Sequence, residues 1–301
     1  ISIADPSFYF QPQWSPDGKF LAFSDTHYNI KVVNVNTGLL TNVDTDGYAH
    51  PNRTMNPVWS PDSKWIAYPK QLNSHFKAIF AFNILTKENV QMTDGMADAI
   101  SPVWDEGGEY LYFLASTDYG LNSGWLDMSS FDPDVTRSLY AVILSNHGKA
   151  PNLPESDEEK KEEKEVKDKD QDDAEAQVVI SPQGIEDRIV ALKFDEGACI
   201  GLVKGPKNNV FVIKSSDDGS TLIKYDVKKE ESENYISGIS QALSNHNGDK
   251  ILVRKGSQWV LSSTGGKPDL EKDGLKINIK LKVDPKKEYH QIFKEGWRYM
   301  R

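Results

Sequence analysis

The side chains that could do chemistry are few and scattered. Six histidines could shuttle protons or bind metal near neutral pH: His27, His50, His75, His147, His246 and His290. None has a second ligand-type residue at metal-site spacing, and most fall in turns or loops. His246 takes a turn slot that proline or aspartate fills in better copies of a repeated motif, and His290 lies among apolar residues in a terminal helical pattern. The single cysteine, Cys199, precedes an apolar strand and has no charged neighbour to lower its pKa. It reads as a core thiol, not a nucleophile. Asp17 and Asp62 recur, but a turn needs them. The chain has no Gly-x-Ser-x-Gly elbow, no His-Glu-x-x-His pair and no phosphate-cradling glycine loop. No catalytic, cofactor-binding or metal-binding residue is therefore assigned, and no cofactor is expected.

What does recur is structural. Trp14-Ser15-Pro16-Asp17-Gly18-Lys19-Phe20-Leu21-Ala22-Phe23 returns as Trp59-Ser60-Pro61-Asp62-Ser63-Lys64-Trp65-Ile66-Ala67-Tyr68. A worn copy follows from Trp104 through Asp105, Glu106, Gly107, Gly108 and Glu109 to Phe113. A period of about 45 residues is that of a four-stranded propeller blade. In each copy proline presets φ, aspartate bonds back to the backbone and glycine accepts a positive φ, which makes a tight hairpin turn. The strand that follows is apolar at every position, as suits a strand covered on both faces. Each blade of a propeller is covered in that way by its two neighbours.

The fold class expected is all-β, a β-propeller with about five four-stranded blades, followed by a C-terminal strand and an α-helix. The propeller occupies residues 1–274, with blades at about 14–55, 56–98, 99–195, 196–237 and 238–274. Residues 1–13 read as the tail of an earlier repeat. Blade three carries two insertions. One, at about 117–137, is rich in aromatic and small residues and includes Trp125. The other is a low-complexity acidic segment, 155–176, expected to be disordered or a solvated helix. The motif reappears, degenerate, at Leu243 to Val253, about one blade beyond Leu202. Lys276 to Val283 alternates like a one-faced strand. Asp284-Pro285 then starts a helix with Tyr289, Ile292, Phe293, Trp297 and Met300 on one side.

Composition limits the function classes. The net charge is -10, of which Glu155 to Glu175 supplies twelve acids against five lysines. The acidity thus belongs to one segment, and no basic stripe marks a nucleic-acid surface. One cysteine allows no disulfide framework. No apolar run reaches the ~18–20 residues of a membrane helix. The start lacks both an initiator methionine and a leader pattern, so the chain reads as an internal piece of a longer protein.

Trp-Ser-Pro-Asp-Gly-Lys repeats resemble many periplasmic and peptidase propellers. Three further segments narrow the likeness: Ser138 to Leu144 followed by Glu155 to Glu159, Gly184 to Leu192, and Tyr289 to Arg301. Together with the repeats they resemble a tricorn-type serine peptidase, at its second propeller and the start of its core domain, 275–301. The resemblance implies a seven-bladed propeller whose axial channel passes oligopeptides to downstream PDZ and peptidase core domains. It also implies a homo-oligomer, a hexamer in that family. About two blades would lie upstream, and a further domain would follow. The family's catalytic histidine and serine match no position in this chain. The compartment implied is cytoplasmic, or periplasmic if a leader precedes. The alternative is a stand-alone, TolB-like interaction scaffold.

Overall fold

Trp65-Ile66-Ala67-Tyr68 carries the logic of the architecture, because all four side chains are buried. Trp65 and Ala67 enter one apolar cluster, Ile66 and Tyr68 another. Side chains alternate across a strand, so a run with no polar member must lie between two packed layers. The computed structural model describes residues 7–47, 55–118, 135–153, 177–276 and 278–300. The readings at His50, Trp125 and the acidic run lie outside the described residues.

Among the described residues nineteen strands form five antiparallel sheets. The first holds β1 (Tyr9–Trp14), β2 (Phe20–Asp25), β3 (Asn29–Asn34) and β4 (Leu40–Thr45). The second holds β5 (Val58–Trp59), β6 (Trp65–Gln71), β7 (Lys77–Asn83) and β8 (Asn89–Gln91). The third holds β9 (Asp98–Trp104), β10 (Tyr110–Ser116), β11 (Ser138–Ile143) and β12 (Ile189–Ala191). The fourth runs from β13 (Cys199–Lys204) through β14 (Asn209–Ser216) and β15 (Gly219–Asp226) to β16 (Glu231–Ile239). The fifth has β17 (Gln241–Ser244), β18 (Lys250–Lys255) and β19 (Gln258–Ser263). Its fourth position is taken by a short segment in which Leu275 N donates to Trp259 O at 2.8 Å and Leu261 N to Asp273 O at 3.1 Å.

Each sheet is a plain up-and-down ladder, and the first strands of successive sheets adjoin one another. That is a β-propeller with its first strands on the inner wall. Four apolar clusters fill the four joints between the five blades. Ala22, Ile30 and Val32 meet Ile66 and Tyr68 in the first joint. Ile79 and Met92 meet Trp104 and Leu111 in the second. Leu139 and Ala141 meet Val210 and Val212 in the third, and Phe211 and Leu222 meet Ile251 and Val253 in the fourth. The outer faces of the first and last blades bear exposed Phe8, Trp14, Leu243 and Leu261.

Three expectations need correction. Tyr9–Trp14 is not the tail of a preceding repeat: it pairs with β2 as the innermost strand of blade one. Among the described residues the strand expected at Lys276 to Val283 is absent, since residues 278–284 carry no ladder, and a strand requires a neighbour to hydrogen-bond. The slot held by Trp14, Trp59 and Trp104 falls on Lys204 and Ser244, not on Leu202 and Leu243. The blade-four turn is one residue tighter than the motif, which moves its register. The terminal helix α1 spans Pro285–Met300. Asp284 caps it, its Oδ1 accepting from Lys286 N at 3.1 Å. No residue of α1 is buried.

Candidate functional site

The repeated turn closes itself with one oxygen. Ser15 Oγ accepts from Phe20 N at 2.9 Å, and Ser60 Oγ accepts from Trp65 N at 2.9 Å. In blade three Asp105 Oδ1 takes the role, accepting from Tyr110 N at 2.8 Å, and in blade five Asn245 Oδ1 accepts from Lys250 N at 3.0 Å. The residue three places further on is left-handed in every copy: Gly18 at φ 67°, Ser63 at 59°, Gly108 at 73° and Gly248 at 71°. Glycine takes this conformation freely, whereas serine is strained there. Ser63 has a compensating use, because its Oγ accepts from Asp17 N of blade one at 3.1 Å.

These turns sit at one end of the inner wall and interlock. Asp62 Oδ2 accepts from Val178 N at 3.1 Å, tying blade two to blade three. In blades four and five a side chain on Gly248 would collide with the Gly205 carbonyl, so the two turns touch backbone to backbone. The turns of all five blades line a cavity of about 1260 Å³ at that end of the inner wall, the mouth.

The charges around the mouth are uneven. In blades one and two each turn is self-neutral: Asp17 pairs with Lys19 at 3.2 Å and Asp62 with Lys64 at 3.8 Å. Burial alone would raise the Asp17 carboxyl, but hydrogen bonds from Ser15 and Lys19 outweigh it and hold the group below its ordinary value. Blade three replaces serine, proline and lysine of the motif with Asp105, Glu106 and Glu109. Burial pushes Asp105 up to about 6, with the nearby Glu109 adding to the rise and amide hydrogen bonds opposing it. On the same cavity stand Lys204 and Lys207 of blade four and His246 of blade five. Burial lowers the pKa of Lys204, with the charges of Asp105 and Glu106 working the other way. Burial and then the Lys204 charge lower that of His246. Among the described residues no ion pair or hydrogen bond joins the side chains of Lys204, Lys207, His246, Glu106 or Glu109 to a partner.

The residues weighed from sequence disperse. His27 lies in the β2–β3 turn and His75 in the β6–β7 turn, both exposed. His147 lies in an exposed turn after β11, and His290 is exposed on α1. Cys199 opens β13, fully buried, and burial pushes its thiol up. The Asp17 and Asp62 carboxylates close their turns, accepting from Ser15 and Ser60 hydroxyls at 2.6 Å. Only His246 joins a wider constellation, through Lys204 and the blade-three acids. The sequence carried a signal for it: the motif residues that blades three and five replace with ionisable ones. Among the described residues no group of three or more His, Cys, Asp or Glu could hold a metal ion.

Residues 3–265 match the family described as the tricorn protease second beta propeller domain. A relative from Sulfurisphaera tokodaii, described as a tricorn-like protease C-terminal subunit, is 28% identical over 95% of this chain. The chain spans about a third of that relative's length, 33%. Among solved structures, tricorn protease superposes with a TM-score of 0.70 over 96% of this chain and 28% of its own, at 15% identity. TolB from Acinetobacter baumannii gives 0.53 over 89% of this chain and 55% of its own, at 14% identity. At such identities the likeness is one of fold.

Proposed function

The chain belongs to the tricorn protease second beta propeller family, and from that premise we propose that it is the non-catalytic propeller of a tricorn-like serine peptidase. Its task is to admit oligopeptides through the axial mouth and guide them to a proteolytic core elsewhere in the protein. The observation that carries this reading is the mouth itself. Five turns drawn from the whole length of the chain converge on one cavity, and the repeated motif is spent on building its rim. On this reading the rim of interlocked turns selects by width, passing an extended chain and refusing a folded domain.

On this reading residues 1–274 are propeller and 275–301 begin the core domain. The exposed stripe Tyr289, Ile292, Phe293 and Trp297 is the face that docks there. The PDZ and peptidase core domains are the partners, and a homo-oligomer, hexameric as in the family, is the assembly. The compartment proposed is cytoplasmic, or periplasmic if a leader precedes. No helix among the described residues is long and apolar enough to cross a membrane. A second reading, a TolB-like scaffold for protein partners, draws on the TolB fold likeness.

Fluorescence anisotropy with labelled, unstructured oligopeptides tests the choice. Saturable binding of the oligopeptide, no binding of a folded domain and no cleavage products by mass spectrometry are expected. Binding of folded protein alone would favour the scaffold. Binding of neither removes the admission reading.

A further inference from the structure

We propose that the side of the axial mouth formed by blades four and five is a carboxylate-binding site, with Lys204 and His246 as its arms and a peptide carboxylate as its ligand. This rests on the admission reading and names the chemical group the mouth grips.

The position of Lys204 is the first support. It stands in the slot where Trp59 and Trp104 each reach back and hydrogen-bond a carbonyl of the preceding blade. An ammonium there offers three donors, and among the described residues none has an acceptor. Both oxygens of Asp105, the nearest blade-three acid in the turn, are taken by the amides of Tyr110 and Gly107. Glu106 and Glu109 are exposed and solvated. The lysine is therefore half-withdrawn from water with the charges of Asp105 and Glu106 near it but no hydrogen-bond acceptor among the described residues.

The second support is rigidity. Gly205 follows Lys204 directly, Gly248 lies two residues after His246, and these glycines are in backbone contact. The two basic groups are thus carried on turns that cannot move apart independently, and both line the cavity with Lys207 beside them.

The third is charge. The charges of Asp105 and Glu106 act on Lys204 and that of Glu106 on His246, while Glu109, Lys207 and Asn247 line the same cavity. The acids and lysines of blades one and two already neutralise one another. Burial disfavours the charged form of Lys204, and partial desolvation followed by the Lys204 charge disfavours that of the largely exposed His246. A carboxylate between them supplies acceptors and counter-charge to both. A neutral carbonyl would supply only the acceptor.

Calorimetric titration of the 301-residue chain tests this with one uncharged, unstructured peptide in three forms. The first has a free C-terminus, the second a C-terminal amide, and the third an amide with one internal glutamate. The carboxylate-bearing forms should bind about tenfold more tightly than the plain amide at low ionic strength. The advantage should shrink with salt. Because carboxylate binding favours the charged forms of Lys204 and His246, binding should take up protons, read from its dependence on buffer ionisation heat. An advantage of the first form alone assigns a chain terminus, and one of the third form alone an acidic side chain. Lys204→Gln should abolish the advantage and Lys204→Arg keep it. His246→Gln, at an exposed position, should reduce it independently. Equal binding of all three forms, or an advantage that survives Lys204→Gln, overturns the carboxylate site and leaves peptide admission standing. If no form binds, both fall.

Discussion

The indole Nε1 of Trp104 donates to the carbonyl of Val58, one blade back, at 3.1 Å. Trp59 repeats the bond to Gln13 at 3.0 Å. The motif tryptophan is thus a rivet between neighbouring inner strands, not only a hydrophobic plug. Its burial deepens along the chain: Trp14 is 59% exposed, Trp59 is intermediate, and Trp104 is 2% exposed.

Replacing these tryptophans by phenylalanine should therefore cost stability in that order. Trp104→Phe leaves a part-buried carbonyl without its donor and a small void beside a buried ring, about 2–3 kcal/mol. Trp59→Phe should cost about 1 kcal/mol, since the exposed Gln13 carbonyl regains water, and Trp14→Phe less, since the Trp14 side chain is mostly exposed and makes no such bond among the described residues. Urea unfolding of the three variants measures the series. A Trp14 variant as damaging as Trp104 would contradict it.

Ser63 sets strain against a bond. Its left-handed backbone costs about 1 kcal/mol, and its hydroxyl holds Asp17 N at 3.1 Å, worth a similar amount. Ser63→Gly removes both and should be close to neutral. Ser63→Ala keeps the strain, loses the bond and should destabilise by about 1 kcal/mol. Thermal unfolding distinguishes them: equal effects would show that the left-handed backbone carries no strain, and a neutral Ser63→Ala would show that the hydroxyl contributes nothing.

Asp105 gives a pH signature. Its carboxyl is raised to about 6 in the fold, above the ordinary 3.8, so the folded state holds the proton more tightly than the unfolded. Stability from this group is present in full below pH ~4 and is lost as pH rises through about 6. Asp105→Asn should remove that loss. Asn245 occupies the same turn position, with its Oδ1 on Lys250 N and its Nδ2 donating to Asp249 at 2.6 Å. The variant amide can adopt the same arrangement with Glu109, in exchange for the bond from Gly107 N to Asp105 Oδ2. It should stabilise the chain by about 1 kcal/mol at pH 8 and by little at pH 4. A gain equal at both pH values would mean that Asp105 is not ionised at a cost.

Helix α1 exposes Phe293 and Trp297, and covering them is worth about 1.5–3 kcal/mol each. The isolated chain should self-associate with concentration, and Phe293→Ser with Trp297→Ser should reduce this while the β-sheet circular dichroism is unchanged. Sedimentation velocity reads the first and far-ultraviolet spectra the second. Loss of the sheet signal would place α1 in the propeller's own core.

The repeat, its hairpin and the two-sided burial of Trp65 to Tyr68 were legible because each is local. The turn is set by the φ preferences of proline and glycine and by a bond from one side chain to an amide five residues on. The blade is set by strands adjacent in sequence. The helix start at Asp284-Pro285 was legible for the same reason. The mouth was not, because Asp105, Lys204 and His246 lie on different blades. What brings them together is the stacking of one sheet on the next, through apolar joints whose members are far apart in the chain. A turn one residue tighter moved Lys204 into the tryptophan slot, and only the ladder register shows that shift. Sequence thus determined what each blade is. Packing decided which blades' charged turns face one another, since side chains on separate sheets meet only when the sheets are packed.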